Sequence, residues 1–186
     1  MIDAEEALRR LKEGNARFRA EHELLHDFSS EKLIELTQEG QEPFATLICC
    51  SDSRVVPEHI FHVGLGELFV IRVAGNVIGP IELESVLYAC DHLDTKLVVV
   101  LGHTHCGAVA SALSDNHHEP SNLTAPIREA IGETKDPHEA SWRNMQAGVH
   151  ALEQDERLQR LCRENGLLIT GALYSIDNGE VEFLEP

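Results

Sequence analysis

Residues 67–101 read ELFVIRVAGNVIGPIELESVLYACDHLDTKLVVVL, and this stretch decides the fold. Glu67 to Val73 and Lys96 to Leu101 are short, nearly continuous apolar runs, which are typical of strands buried on both faces. Between them, Ile81 to Leu93 repeats apolar residues at helical spacing. Strand, helix and strand in this order predict a βαβ unit, and therefore a parallel sheet.

Further elements flank this unit on both sides. Phe44 to Cys49 and Gly166 to Tyr174 are apolar runs that predict two more strands. A last run, residues 181–184, follows a turn at residues 177–179 and predicts a strand antiparallel to its predecessor. The remaining segments are predicted to be an amphipathic helix at residues 3–20, a short helix from Ser29 to near Gly40, a polar loop with a short helix at residues 114–140, and a helix at residues 142–163.

These elements predict an α/β protein: a single domain with a mostly parallel central β-sheet flanked by helices. Residues 1–40 form an N-terminal helical arm of the same domain, and residues 41–186 form the α/β core. The length of 186 residues fits one domain. We find no apolar run long enough for a membrane span and no apolar signal-peptide core behind the acidic start, so we expect a cytoplasmic protein with no membrane partner.

Charge and cysteine content narrow the function. The net charge of −17 repels phosphate backbones, so we expect no nucleic-acid partner. The five cysteines are an odd set without a disulfide pattern, which in a reducing compartment favours metal binding or catalysis for any special ones. Of these five, Cys49, Cys90 and Cys162 are expected to lie in the core.

Two strands run into unusual residues. The first leads into Cys50-Ser51-Asp52-Ser53-Arg54, and the third into Gly102-His103-Thr104-His105-Cys106-Gly107. Because the carboxyl ends of parallel strands meet at one edge of the sheet, these segments can converge there. Catalytic zinc needs three firm protein ligands and an available fourth position, and Cys50, His103 and Cys106 supply three. His105, between two of them, is expected to point away from His103.

These motifs resemble those of the β-class carbonic anhydrases. The hallmarks of that family are Cys-x-Asp-x-Arg and His-x-x-Cys, and the similarity continues through residues 66–76 and covers residues 41–113 closely. The resemblance implies a zinc enzyme that interconverts carbon dioxide and bicarbonate by means of zinc-bound hydroxide. It makes residues 41–186 a zinc-binding catalytic core.

The resemblance also implies a gate at the metal. Asp52 either joins Cys50, His103 and Cys106 as a fourth ligand, which closes the shell, or pairs with Arg54, which leaves zinc open. The two states exclude each other. In the open state, Asp52 accepts the hydroxide proton and orients a lone pair toward the carbon of carbon dioxide.

Residues outside the metal shell resemble the plant-type branch of the family. Gln41, Phe69 and Tyr88 match its substrate cleft, and the amide of Gly107 would help to bind bicarbonate. His92, four residues after Tyr88 on the same helical face, is the candidate proton shuttle. The other branch of the family uses a Trp and an Arg to hold an inhibitory bicarbonate. Here the Arg is present as Arg72, but Leu47 stands at the position of the Trp. We therefore expect no cooperative inhibition by bicarbonate.

In this family the cleft lies between subunits, which implies a homodimer or a tetramer made of two dimers, with the N-terminal helix against the partner. The amphipathic pattern of residues 3–20 fits this arrangement, and it fits packing on its own domain equally well. Two rival functions remain open at this point. One is a hydrolase of carbonyl sulfide or carbon disulfide on the same fold and zinc. The other is a non-catalytic zinc protein with a permanently closed shell of four ligands.

Overall fold

The protein is described by a computed structural model that covers residues 2–20, 27–114 and 121–184. Its helices and strands follow in the order α1 (Ala4–Arg19), α2 (Ser30–Glu39), β1 (Ala45–Cys49), α3 (Pro57–Ile60), β2 (Leu68–Arg72), α4 (Pro80–His92), β3 (Leu97–His103), α5 (Gly107–Leu113), α6 (Thr124–Ile131), α7 (Pro137–Glu153), α8 (Glu156–Asn165), β4 (Leu168–Tyr174) and β5 (Val181–Phe183).

The five strands form one sheet in the order β2-β1-β3-β4-β5. The first four are parallel, and β5 pairs antiparallel with β4. Every residue of β1 and β3 is buried, because helices cover both faces of the sheet. The predicted α/β class with a mostly parallel sheet is therefore confirmed.

Alternate residues of the central strands pack into two cores. Leu47 and Cys49 face the core that α1 and α3 close, while Ile48 faces the core formed with α4, α7 and α8. Cys90 is buried in this second core, and Cys162 packs against it. A third and smaller cluster lies beside Cys50 and contains Cys106 and residues of α5, α6 and α7.

Helix α1 packs on its own chain. Ala7 and Leu11 are fully buried in the first core, and the Asn15 side chain donates to the carbonyls of Ile60 and Gly179 and accepts from the amide of Val181. One buried amide thus joins the helix to α3 and to the β4–β5 hairpin. Helix α2 differs, because none of its residues is buried, and Leu33 and Ile34 are exposed.

The structure differs from the predicted elements in several places, since it adds α3 at Pro57–Ile60 and begins α7 at Pro137, inside the predicted loop segment. The helix predicted at residues 142–163 is two helices, because the Asp155 carboxylate accepts from the amides of Arg157 and Leu158 and so caps a new helix after Glu153. Strand β3 extends to His103, two residues past the predicted end. Within the described part of the chain, no helix is long and apolar enough to cross a membrane.

Candidate metal centre

The sheet brings the two predicted motifs together. Strands β1 and β3 are neighbours in parallel register, with Cys49 opposite Leu101. Cys50 follows the end of β1, and His103 is the last residue of β3, so both lie at the carboxyl edge of the sheet. Cys106 follows after a tight turn in which His105 has a φ of 57°, and it lies immediately before α5.

Three donor atoms converge at this edge. The Sγ atoms of Cys50 and Cys106 and a ring nitrogen of His103 lie within 4.8 Å of one another, and all three residues are buried. The two sulfurs are 4.0 Å apart. Among the described residues, this is the one cluster of three or more His, Cys, Asp or Glu side chains with the spacing of a metal site.

The imidazole of His103 is arranged as a ligand. Its Nδ1 lies 2.8 Å from the Thr104 carbonyl oxygen, which can only accept, so Nδ1 carries the proton. The lone pair therefore lies on Nε2, which is buried and has no hydrogen-bond partner among the described residues. A buried acceptor of this kind is costly unless something binds to it. A metal ion between the three donors satisfies it.

The pKa values of the two thiols shift in opposite directions. The hydrogen bond from Cys106 lowers the pKa of Cys50, with smaller contributions from the amides of Gly75 and Asp52, against the opposing effect of burial. The same bond and burial raise the pKa of Cys106. Elsewhere, burial raises the pKa of Cys49 to about 12 and that of Cys90 to about 11. The thiolate is therefore concentrated at the donor cluster.

This donor set fits zinc. Tetrahedral zinc with Zn–S bonds of about 2.3 Å places two sulfurs about 3.8 Å apart, which is close to the separation of Cys50 and Cys106. Two thiolates and one neutral imidazole match the preference of zinc for S and N ligands and leave a fourth position available.

Asp52 is bound to Arg54 and not to the donor cluster. Arg54 Nε donates to Asp52 Oδ1 at 3.0 Å, and Nη2 donates to Oδ2 at 2.8 Å. The amide of Arg54 also donates to Oδ1 at 3.0 Å. These hydrogen bonds hold the pKa of Asp52 well below its usual range. In this structure the pair has the arrangement that leaves the fourth position free.

Three further hydrogen bonds fix the loop that carries Asp52. Arg54 Nη2 donates to the His105 carbonyl at 3.1 Å, which joins the two metal-binding motifs. Arg72, on β2, donates to the carbonyls of Cys50 and Asp52 at 3.3 and 2.8 Å. The family resemblance suggests Arg72 only as part of an anion site. Its role in holding the Asp52 loop is not predicted, because contacts to backbone carbonyls leave no sequence signal.

His105 points away from the donors, toward the β4–β5 turn. Its Nε2 lies 3.0 Å from both carboxylate oxygens of Asp177. Thr104 is tied to the same turn, since its hydroxyl accepts from the amide of Ile176 at 3.0 Å. Thr104 and His105, which lie between the ligands His103 and Cys106, therefore anchor the metal-binding turn. No sequence pattern predicts this role for Asp177.

Four of the remaining predicted site residues, namely Gln41, Phe69, Tyr88 and His92, do not meet the metal cluster within one chain. Phe69 is opposite Thr46 near the start of β2, about 10 Å along the sheet from Cys49. The rings of Phe69 and Tyr88 are 6.1 Å apart, and His92 stacks on Tyr88 at 4.8 Å. Gln41 is exposed just before β1. All four residues therefore lie toward the amino edge of the sheet, opposite the metal cluster.

Gly107 lies next to the donor Cys106. It is exposed at the first position of α5, and a Cβ atom there would meet nothing within 4 Å. Its amide is in the first turn of a helix, where backbone N–H groups lack intrahelical acceptors. Its predicted contact with bicarbonate stays a prediction.

A parallel α/β sheet that holds two thiols and an imidazole at adjacent strand ends is a framework for a metalloenzyme with an open coordination position. Comparison with known proteins makes the class specific. The family profile described as "Carbonic anhydrase" matches residues 45–181. A carbonic anhydrase of Mycolicibacterium smegmatis is 44% identical over 127 residues, which are 67% of this chain and 61% of that protein.

Solved structures agree with this match. The β-carbonic anhydrase CafA of Aspergillus fumigatus is 28% identical with a TM-score of 0.72, over 98% of this chain and 92% of that chain. A tetrameric β-carbonic anhydrase of Sordaria macrospora is 25% identical with a TM-score of 0.72, over 84% of this chain and 88% of that chain. The chain belongs to the β-class carbonic anhydrase family. It spans 61% and 52% of the lengths of two curated mycobacterial relatives.

Proposed function

We propose that this chain catalyses the reversible hydration of carbon dioxide to bicarbonate and a proton, with zinc held by Cys50, His103 and Cys106. One observation carries the proposal: three buried donors with a free fourth position lie beside a carboxylate that an arginine holds. Membership of the family supports it. A non-catalytic site would instead need a fourth ligand, and Asp52 is bound to Arg54.

Zinc, when bound, supplies a Lewis acid that makes water acidic near neutral pH. The side chains of this chain exclude bulk water from the sulfurs and fix the orientation of the ligands. Cys50 and Cys106 are buried against the apolar cluster of α5 and α6, which excludes bulk water from the sulfurs. The bond from His103 Nδ1 to the Thr104 carbonyl keeps Nε2 unprotonated and fixes the ring plane.

Asp52 is placed to receive a hydrogen bond from the reacting water. Its Oδ1 accepts from both the amide and the Nε of Arg54, whereas Oδ2 accepts only from Nη2. A lone pair therefore remains on Oδ2. Because Arg54 keeps the carboxylate ionised, Oδ2 holds that proton in a hydrogen bond without taking it. This fixes the direction of the nucleophilic lone pair.

Stopped-flow measurement of carbon dioxide hydration by the zinc-loaded protein tests the proposal. We expect activity to vanish when a chelator removes zinc and to return on addition of one equivalent. Carbonyl sulfide and carbon disulfide are assayed in parallel with the same protein. Faster turnover of either gas than of carbon dioxide would support the sulfur hydrolase, and zinc binding without any turnover would support a non-catalytic site.

We propose that a second copy of the chain completes the cleft as a homodimer or a tetramer. The edge of the sheet opposite to the metal cluster carries Phe69, Tyr88 and Gln41. The copies of these residues in a partner chain would therefore have to line the cleft at the metal cluster. The tetrameric relative from Sordaria macrospora supports this assembly. Sedimentation velocity measures the oligomeric state at the concentration used for the activity assay. A fully active monomer would contradict this assembly.

We also keep three finer assignments as proposals. They are a plant-type substrate cleft without cooperative bicarbonate inhibition, a cytoplasmic location, and the division into a 1–40 arm and a 41–186 catalytic core. The first is supported by Leu47, which is fully buried, and by Arg72, whose guanidinium is used on the carbonyls of Cys50 and Asp52. The second is supported by the free thiols.

We propose His92 as a proton shuttle for the zinc site of a partner chain, because it lies at the sheet edge opposite the metal cluster of its own chain. Its ring is exposed and stacks on Tyr88, which fixes the orientation of the imidazole. We expect His92→Ala to lower turnover about tenfold in dilute buffer and much less in concentrated buffer, since proton transfer then bypasses the residue. Added imidazole should restore the rate. His150→Ala, at another exposed helical histidine, is the control, and equal rates for His92→Ala and wild type in dilute buffer would dismiss the role.

A further inference from the structure

A backbone amide contacts the sulfur of Cys50. Gly75, in the 3-10 turn Ala74–Asn76, donates its N–H to Cys50 Sγ at 3.2 Å in a buried position. Gly75 has a φ of +66°, and a Cβ atom there would lie 2.9 Å from side-chain atoms of Ala108 and Ile127. Only glycine therefore brings its amide this close to the sulfur.

A side chain from another helix holds the same glycine. Asn144 Nδ2 donates to the Gly75 carbonyl oxygen at 2.8 Å, again in a buried position. Gly75 is thus fixed at both of its backbone polar groups, by Cys50 on one side and by Asn144 on the other. Asn144 itself is only 6% exposed, so water does not readily replace it.

Helix α7 gives Asn144 a firm base. The helix has 17 residues, and the Asp136 carboxylate caps its start. Met145 and Leu152 are fully buried beneath it in the second core. The position of Asn144 is therefore set by the core and not by the metal site.

We propose that Asn144 is a positioning residue of the metal centre, which acts through Gly75 to hold an amide N–H on the Cys50 sulfur. This rests on the proposed zinc site. An N–H that is aimed at a thiolate stabilises the anion that a metal needs as a ligand. Asn144 reaches the sulfur only through the backbone of Gly75.

The expected effect is a loss of zinc affinity. Partners of metal ligands typically contribute about 10- to 100-fold in affinity or activity. Because Gly75 is also restrained by its neighbours Ala108 and Ile127, we expect the lower end, about tenfold. If Asn144 had a purely structural role, its variants would have a lower melting temperature and an unchanged zinc affinity.

The test uses Asn144→Leu, which keeps the size and removes the donor, and Asn144→Ala as the second variant if the first does not fold. Ser141→Ala is the matched control. Ser141 is equally buried one turn earlier on α7, and its hydroxyl bonds only within the helix, to the Pro137 carbonyl. Zinc dissociation constants are measured by competition with a chromogenic chelator, and the Gly75 amide proton is followed by NMR in the metal-free protein.

We expect the zinc dissociation constant to rise about tenfold in the Asn144 variants, with an upfield shift of the Gly75 amide proton, while Ser141→Ala changes neither. A folded Asn144 variant with wild-type zinc affinity would overturn the inference. The NMR shift is read without metal, so failure of the proposed function, in which wild type binds no zinc or hydrates no carbon dioxide, is seen separately.

Discussion

A Cys106→Ser variant is expected to bind zinc about a hundredfold more weakly and to lose carbon dioxide hydration. Structural zinc sites bind with about 10–16 kcal/mol from four ligands, so one ligand accounts for about 3 kcal/mol, or about a hundredfold in affinity. Serine is a poor replacement because its hydroxyl stays protonated and its oxygen is a harder donor than sulfur. Zinc affinity, by competition with a chromogenic chelator, and stopped-flow rates are the measurements.

Cys162→Ser provides the matched control for this variant. Cys162 is a free and only half-buried thiol on α8, outside the donor cluster. It should keep one zinc per chain and the wild-type rate. Wild-type zinc affinity in Cys106→Ser, or weakened affinity in Cys162→Ser, would show that the metal lies elsewhere.

The metal site could be predicted from the sequence because the carboxyl ends of parallel strands lie together at one edge of the sheet. Cys50 and His103 are far apart in the chain, yet each follows or ends an apolar run. In a parallel sheet these ends share one edge. The ligand set therefore followed from strand prediction together with residue chemistry, and neither step required long-range contacts to be known.

Other parts of the site depend on contacts that no local pattern encodes. Asn144 reaches Gly75 across 69 residues, and Asp177 reaches His105 across 72. Each is an ordinary polar residue on its own element, so its role emerges only from packing. The break between α7 and α8 was missed although Asp155, which caps the new helix, marks its start, and although Leu158 does not continue the helical face of Val149 and Leu152.

The residues of the substrate cleft show a third limit. Similarity suggested Gln41, Phe69 and Tyr88, and the sheet register then placed Phe69 well away from the cluster of its own chain. Within one chain these residues therefore do not meet the metal cluster. Their proposed roles in the cleft would require a second chain, whose position neither the sequence pattern nor one chain defines.

An Arg54→Ala variant is expected to keep its zinc and lose about 100-fold in carbon dioxide hydration. The substitution removes both side-chain bonds to Asp52 and the bond to the His105 carbonyl, and leaves only the backbone amide on Oδ1. The Asp52 side chain is only 17% exposed, so the freed carboxylate remains beside the donors. It then becomes the fourth zinc ligand and closes the shell.

The chain contains a close structural control for this variant. Arg157 binds Asp155 much as Arg54 binds Asp52, with the acid two residues earlier and a bond from its amide, but at the start of α8. Its guanidinium makes three hydrogen bonds to Asp155 and one to Glu84. Arg157→Ala should therefore lose a similar ion pair without losing activity. Cobalt-substituted protein reports the coordination directly, because an additional carboxylate ligand changes its visible absorption spectrum. Full turnover in Arg54→Ala, or loss of its metal, would contradict the gate, since an intact three-donor cluster with a freed Asp52 must hold zinc and exclude substrate.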